Sequence, residues 1–181
     1  MEEKGLINLE YLSILELNGK GSFELLQGQI TSDMQKVTKD NCVLGSICDL
    51  KGRVVSSFLV AASPERQNSY YLVGDRKILE TTKIILEKYQ PFYDSTIEEN
   101  NKYQFYAMHA EHLKDGFRET NFNNTFQDHG HFFRLHYLNK KFHLIASKKD
   151  DYLKDYNISD NKNPWKLDEI NNQNYEISSE T

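Results

Sequence analysis

The segment from Val54 to Val60 constrains the fold more than any other part of the chain. Its apolar side chains point to both faces of a predicted β-strand, with Val54, Phe58 and Val60 on one face and Val55 and Leu59 on the other. A strand that is apolar on both sides is typical of a sheet that is covered on both sides. Two hydroxyl residues, Ser56 and Ser57, stand in the middle of this strand.

A charged turn precedes that strand and completes a predicted hairpin. Asp49, Lys51 and Arg53 place one acid and two bases at the tip, and Gly52 can adopt positive φ there. Upstream, the segment from Leu25 to Asp33 reads as a helix end followed by a polar loop. A buried strand that ends in a charged, backbone-exposed turn is a suitable platform for a polar ligand.

Hydrophobic periodicity predicts the order β-α-β-β-β-α for the first half of the chain. Besides the hairpin, its elements are a strand over Tyr11–Leu17, a helix over Phe23–Gln27 capped by Ser22, a strand over Ser69–Val73, and a helix that Gly74-Asp75 caps and Pro91 stops. The apolar face of that last helix is predicted to carry Ile78, Leu79, Thr82, Ile85, Leu86 and Tyr89.

The second half is predicted to repeat this order roughly. Its elements are strands near Phe92–Glu98 and Tyr103–His109, a helix around Glu111–Gly116, a polar loop from Asn121 to Asp128, a hairpin of His131–Leu138 with Lys141–Ser147, and helices over Asp150–Tyr156 and after Trp165. A two-residue turn at Asn139-Lys140 makes residues whose numbers sum to 279 face each other. Phe133 then opposes Ala146, and His136 opposes His143.

Length, charge and cysteine content limit the classes of function. The 181 residues can bury a real core, and a net charge of −5 argues against a dedicated nucleic-acid binder. No apolar run approaches membrane-spanning length, and the acidic start Met1-Glu2-Glu3 resembles neither a signal nor a transit peptide. The two cysteines, Cys42 and Cys48, fall on one predicted strand too far apart to bridge, which favours a reduced, cytoplasmic setting.

Two motifs carry a resemblance to a known family. Leu-Gln-Gly-Gln-x-Thr-x-Asp ends at Asp33, and Cys-Asp-x-Lys-Gly-Arg begins at Cys48, about fifteen positions later. At this spacing they resemble the YgfZ family of folate-binding proteins, which is related to glycine-cleavage T-protein aminomethyltransferases and to mitochondrial iron–sulfur assembly factors. The resemblance is strong from about Leu12 to Val60 and thinner beyond.

The resemblance implies a fold, a cofactor and partners. The fold is α+β, with two ferredoxin-like β-α-β half-domains whose first strands are exchanged and whose mixed or antiparallel sheets form one folate-binding domain. The halves are expected at residues 1–90 and 91–181. The implied cofactor is tetrahydrofolate, and the implied site residues are Gln27, Gln29, Asp33, Asp49, Lys51, Arg53, Ser56 and Ser57.

Local structure is the alternative interpretation of the same residues. Gln27 and Asp33 are types that satisfy helix ends and cap loops. Asp49, Lys51 and Arg53 also fit a solvated hairpin tip with no ligand. Both interpretations stay open on the sequence alone.

The chain departs from the related aminomethyltransferases at one place, where YgfZ-like members depart as well, and from the family itself at two places. Transferases of this superfamily carry an Asp-Asp pair where this chain has Ser56 and Ser57, and a hydroxyl cannot supply the carboxylate that steers proton transfer. The family also has an Ile-Glu-Ala-Gly-like motif after a tryptophan. In this chain the tryptophan is Trp165, and Asn171 stands at the position of the glutamate. The family's Lys-Gly-Cys motif and its small β-barrel are absent, so a truncated or cleaved chain is expected.

The resemblance therefore predicts an accessory role and no turnover of its own. The protein is expected to bind folate and to assist iron–sulfur proteins or their assembly machinery, including enzymes that modify tRNA, without contacting nucleic acid or membrane directly. The alternative is a tetrahydrofolate-dependent aminomethyltransferase-like enzyme. A third possibility is a scaffold whose folate site is vestigial.

Other candidate residues have simpler interpretations. His129-x-His131 and the His136/His143 pair have metal-ligand spacing but no evident third ligand, so no metal site is predicted. Cys48 is a possible nucleophile or cluster ligand, yet a strand thiol with no neighbouring histidine behaves more often as a small hydrophobe. No nucleotide-binding glycine motif or serine-hydrolase motif is present in the sequence.

Overall fold

The computed structural model describes residues 5–109, 125–128, 132–136, 142–148 and 156–171. The described residues form runs of strands separated by α-helices. The strands are β1 (Gly5–Asn8), β2 (Leu12–Asn18), β3 (Val43–Cys48), β4 (Val54–Ala62), β5 (Ser69–Asp75), β6 (Thr96–Glu99), β7 (Gln104–His109), β8 (Thr125–Asp128), β9 (Phe132–His136), β10 (Phe142–Ser147) and β11 (Asn157–Ser159). The helices are α1 (Ser22–Gln29), α2 (Arg76–Glu87) and α3 (Asn163–Asn171).

The described strands form two sheets, so the fold is α+β as predicted. A five-stranded antiparallel sheet has the order β3-β4-β5-β2-β6. A six-stranded sheet has the order β11-β1-β7-β10-β9-β8 and is mixed, because β1 and β11 run parallel. The order β2-α1-β3-β4-β5-α2 confirms the predicted order of the first half, whereas β1, which precedes it, was not predicted.

One face of the five-stranded sheet packs against α1 and α2. Buried side chains from both helices and all five strands form one cluster, consisting of Leu15, Leu17, Leu25, Leu26, Ile30, Met34, Ile47, Phe58, Val60, Leu72, Leu79, Leu86 and Ile97. The helices lie over the sheet because their apolar stripes match the apolar face of the strands.

Strand β4 is buried on both faces, which confirms the prediction for its central part. All residues from Ser56 to Ala61 are buried, and only the end at Val54 is open, with 47% of its surface exposed. Phe58 and Val60 belong to the helix-covered cluster. Leu59 and Ala61 alternate to the opposite face and are buried there.

The caps of the two helices differ from each other. Asp75 caps α2, since its Oδ1 accepts a hydrogen bond from the Lys77 amide at 2.8 Å. Ser22 does not cap α1, so that prediction was wrong. It is the first helical residue, and its buried Oγ lies 2.7 Å from Ser95 Oγ. Helix α2 ends at Glu87, so Tyr89 lies beyond it and is 41% exposed, contrary to the predicted apolar face.

The six-stranded sheet contains the predicted second hairpin. Leu144 pairs with Leu135 and Ala146 with Phe133, which confirms the register in which paired numbers sum to 279. The predicted turn at Asn139-Lys140 and Tyr137 lie outside the described residues. The predicted pairing of His136 with His143 is not among the described strand pairs. Strand β8 adds to β9 through Phe126 and Leu135, so the predicted loop over Asn121–Asp128 was wrong at its end.

Each sheet takes one strand from the other half of the sequence. Strand β1 pairs with β7, and β6 pairs with β2, so the first strands are exchanged as the resemblance implies. One compact unit accordingly comprises Tyr11–Asn101, and the other contains residues 5–10 with the described residues from Lys102 onward. These units divide the chain differently from the halves 1–90 and 91–181. The predicted helix at Glu111–Gly116 lies outside the described residues. So does the predicted helix over residues 150–156, except for Tyr156, which directly precedes β11 and is not helical.

Candidate functional site

The turn between β3 and β4 is organised by one carboxylate. Asp49 Oδ1 accepts hydrogen bonds from the backbone amides of Lys51 at 2.8 Å and Arg53 at 3.0 Å. The Asp49 amide donates to the Arg53 carbonyl at 2.8 Å, and the Gly52 amide donates to the Asp49 carbonyl at 2.9 Å. Gly52 has φ of 76°, a left-handed conformation that glycine adopts without steric cost. Four hydrogen bonds therefore stabilise this turn.

Of the two basic side chains of the turn, Arg53 is paired with Asp49 and Lys51 is not. Arg53 Nε and Nη2 both contact Asp49 Oδ2, at 2.8 and 2.7 Å. The backbone amide of Arg53, then its guanidinium, and the Lys51 amide hold the pKa of Asp49 below its ordinary value. The Lys51 ammonium has no ion-pair partner among the described residues. Lys51 is therefore the cation of this turn that is free to meet a ligand.

The connection from α1 to β3 uses its polar residues locally. Gln27 Oε1 accepts the Met34 amide at 2.8 Å, and Asp33 Oδ1 accepts the Gln35 amide at 2.9 Å. Both contacts shape a short 3-10 turn at Met34–Lys36, as the local interpretation predicted. Gln29 ends α1 and is half-buried. Within the described residues, no hydrogen bond or ion pair joins these three side chains to the charged turn.

Sequence reasoning missed the role of Thr31 and Ser32. The Thr31 amide donates to the Ser46 carbonyl at 2.9 Å, and the Ser46 amide donates to Thr31 Oγ1 at 3.2 Å. Ser32 Oγ donates to the Leu44 carbonyl. These bonds occupy the outer edge of β3, where no other strand of the described residues pairs with it. The sequence signal for these bonds was the presence of two consecutive hydroxyl residues before a predicted edge strand.

Ser56 and Ser57 lie on opposite faces of β4. Ser56 pairs with Ile47, a member of the helix-covered cluster, and directly opposed residues share a face. Ser57 pairs with Ser46 on the other face. Both are buried, and the Ser56 hydroxyl has no hydrogen-bond partner among the described residues. Neither position offers a carboxylate.

The remaining candidates are dispersed. Cys42 is buried just before β3, and burial raises the pKa of its thiol to about 12. Cys48 is exposed at the end of β3. Asn171 is the last residue of α3. No group of three potential metal ligands occurs in the described parts of the chain, and no helix described here is long and apolar enough to cross a membrane.

A shallow cavity of about 300 Å³ opens at the connection between β4 and β5. Tyr70, Val37 and residues 62–69 line it, including the opposite charges of Glu65 and Arg66. None of the eight predicted site residues lines this cavity.

Comparison with solved structures defines the class of fold. The chain superimposes on the glycine cleavage system aminomethyltransferase T from Bartonella henselae with a TM-score of 0.66. The match covers 80% of this chain and 42% of the other, at 13% sequence identity. The chain therefore has an aminomethyltransferase-like fold. No family model matches the sequence.

Sequence relatives narrow the resemblance further. The chain is 30% identical over 108 residues to the tRNA-modifying protein YgfZ of Colwellia psychrerythraea, and 32% identical over 92 residues to that of Serratia proteamaculans. These matches cover 60% and 51% of this chain, but only 32% and 27% of the relatives. The chain thus carries a YgfZ-like N-terminal portion and spans a minor part of the relatives' length.

Proposed function

We propose that the protein is a folate-binding accessory factor for iron–sulfur proteins or their assembly machinery. The observation that carries this proposal is the combination of an aminomethyltransferase-like fold with similarity to YgfZ proteins. The clients would include cluster enzymes that modify tRNA, in keeping with the name of the relatives. The proposed setting is the cytoplasm.

We order the eight candidate tetrahydrofolate ligands by whether their polar groups are already engaged within the described residues. Lys51 has a free cation that suits the glutamate tail of the cofactor. Gln29 has an amide suited to the pterin edge, and its side chain makes no hydrogen bond within the described residues. Gln27, Asp33, Asp49 and Arg53 are engaged in local bonds, so they would support the shape of a site more than contact the ligand. Ser56 and Ser57 are buried on β4, so they too would support the shape of a site more than contact the ligand.

The aminomethyltransferase-like enzyme remains the alternative, and the fold likeness is what favours it. That reaction needs a carboxylate to steer a proton at the folate nitrogen. Ser56 and Ser57 stand at the positions of the Asp-Asp pair and cannot take that role. An assay for release of ammonia and methylene-tetrahydrofolate decides between the two functions, and we expect no transfer.

Calorimetric titration of the full-length protein with tetrahydrofolate tests the proposal. We expect binding that Lys51→Ala weakens, because the ammonium would lose its contact with the glutamate tail. Lys88→Ala is the matched control, since Lys88 is an exposed lysine at the end of α2. Absence of binding heat at millimolar tetrahydrofolate would discard the folate function.

Direct contact with nucleic acid forms no part of this proposal. The net charge of −5 disfavours phosphate binding, and one of the two cations of the charged turn is held by Asp49. Tight binding of tRNA by the purified protein would contradict this view of its role.

A further inference from the structure

The cavity at the connection between β4 and β5 has no part in the proposed folate function. Its volume of about 300 Å³ lies at the lower end of the range for small-molecule sites, so it suits a ligand of one or two rings. None of the eight candidate tetrahydrofolate ligands lines it. Any ligand of this cavity therefore has to be identified from the chemistry of its own lining.

The floor of the cavity is apolar and is anchored in the hydrophobic core. Val37 and Tyr70 line the cavity and also pack against the helix-covered cluster. The Tyr70 ring contacts the Phe23 ring, with centroids 6.5 Å apart and planes tilted by 56°. Val37 and Tyr70 are only half-buried, so each keeps apolar surface that the ring of a ligand can cover.

Hydrogen bonds fix the loop from Ser63 to Ser69, which forms the rim of the cavity. The Ser63 amide donates to the Ser69 carbonyl at 2.8 Å and closes the loop, and the Glu65 amide donates to Ser63 Oγ at 3.2 Å. The Gly19 amide donates to the Asn68 carbonyl at 3.0 Å and ties the loop to the turn after β2. A loop held in this way loses little conformational entropy when a ligand binds.

The rim offers one cation and two side-chain amides to a ligand. The exposed Arg66 guanidinium makes no hydrogen bond or ion pair with any described residue. The side-chain amides of Gln67 and Asn68 are likewise unbonded in the described part of the chain. A guanidinium binds a carboxylate through two parallel hydrogen bonds. Because Glu65 also lines the cavity, a single negative charge suits this rim better than a doubly charged phosphate.

We infer that this cavity binds a small molecule that consists of a ring system and one carboxylate group. The ring lies on Val37 and Tyr70, and the carboxylate pairs with the Arg66 guanidinium. Gln67 and Asn68 supply hydrogen bonds to further polar atoms of the ligand. The pairing with Arg66 makes the site prefer a charged ligand over a neutral one of the same shape.

Titration of the isotope-labelled full chain with phenylacetate tests the inference by NMR. We expect the amide signals of Asn68, Ser69 and Tyr70 to shift with a dissociation constant on the order of 1 mM or below. Phenylacetamide has the same shape without the charge, and it should bind at least about tenfold more weakly. Arg66→Gln should weaken phenylacetate binding by the same factor. Arg76→Gln is the matched control at an exposed arginine of α2 and should leave binding unchanged.

Four results would overturn this assignment of the cavity. The first is the absence of shifts around the cavity at about 10 mM phenylacetate. The others are equal binding of phenylacetamide, equal binding by Arg66→Gln, and displacement of phenylacetate by tetrahydrofolate, which would make the cavity part of the folate site. Arg66→Gln should not alter folding, because the guanidinium contacts no described residue through a hydrogen bond or ion pair. It should also leave tetrahydrofolate binding unchanged, so the folate function and this inference fail separately.

Discussion

Replacing Ser56 by alanine should stabilise the protein, although Ser56 lies in the buried part of β4. The side chain is 0% exposed, and its hydroxyl has no hydrogen-bond partner among the described residues. A buried polar group without a partner costs a native structure about 1–3 kcal/mol. Removing the oxygen forfeits a few dispersion contacts, each worth about 0.1–0.2 kcal/mol.

The net expectation for Ser56→Ala is an increase in the free energy of unfolding of about 1–2 kcal/mol. For a protein of this size, each kcal/mol raises the melting temperature by about 2–4 °C. Urea unfolding followed by circular dichroism measures this change, with a higher midpoint and an unchanged slope.

Ser22→Ala is the matched control because Ser22 is an equally buried serine whose hydroxyl is bonded. Its Oγ lies 2.7 Å from Ser95 Oγ, so the substitution leaves Ser95 without that partner. We expect a loss of about 1 kcal/mol. If Ser56→Ala destabilises the protein as Ser22→Ala does, the Ser56 hydroxyl is satisfied and the reasoning is refuted.

Two further substitutions and one pH titration test the local structure. Asp75→Ala should lower stability by about 1 kcal/mol through loss of the α2 cap, measured by urea unfolding, and an unchanged midpoint would contradict the assigned cap. Gly19→Ala should cost about 2 kcal/mol or more, since φ is 136° and a Cβ would lie 2.3 Å from the Asp94 carbonyl oxygen; wild-type stability would disprove this strain. The lowered pKa of Asp49 means that its support of the turn is present above the ordinary value of 3.8 and is lost as pH falls through the folded pKa. The amide NMR signals of Lys51 and Arg53 should therefore shift only below that value, and should not shift in Asp49→Asn.

The sequence alone determined the features that depend on neighbouring residues along the chain. The two-sided apolar pattern of Val54–Val60 predicted a strand that is buried on both faces. Helical spacing and Asp75 predicted α2 and its cap. The paired motifs pointed to the aminomethyltransferase-like fold, including its exchanged first strands. Periodicity and capping are local properties, so they can be read without the tertiary structure.

The tertiary structure decided which polar and charged side chains are engaged in hydrogen bonds or ion pairs and which remain available to a ligand. Ser22 was expected to cap a helix but packs against Ser95, which is distant in sequence. The one-residue bulge at Val55 turned Val54 to the face of Cys48, and no periodicity rule reports a bulge. The pairing of Arg53 with Asp49 left Lys51 as the available cation of the turn. Such outcomes depend on strand register, long-range contacts and competition for hydrogen-bond partners, which are settled only when the chain has folded.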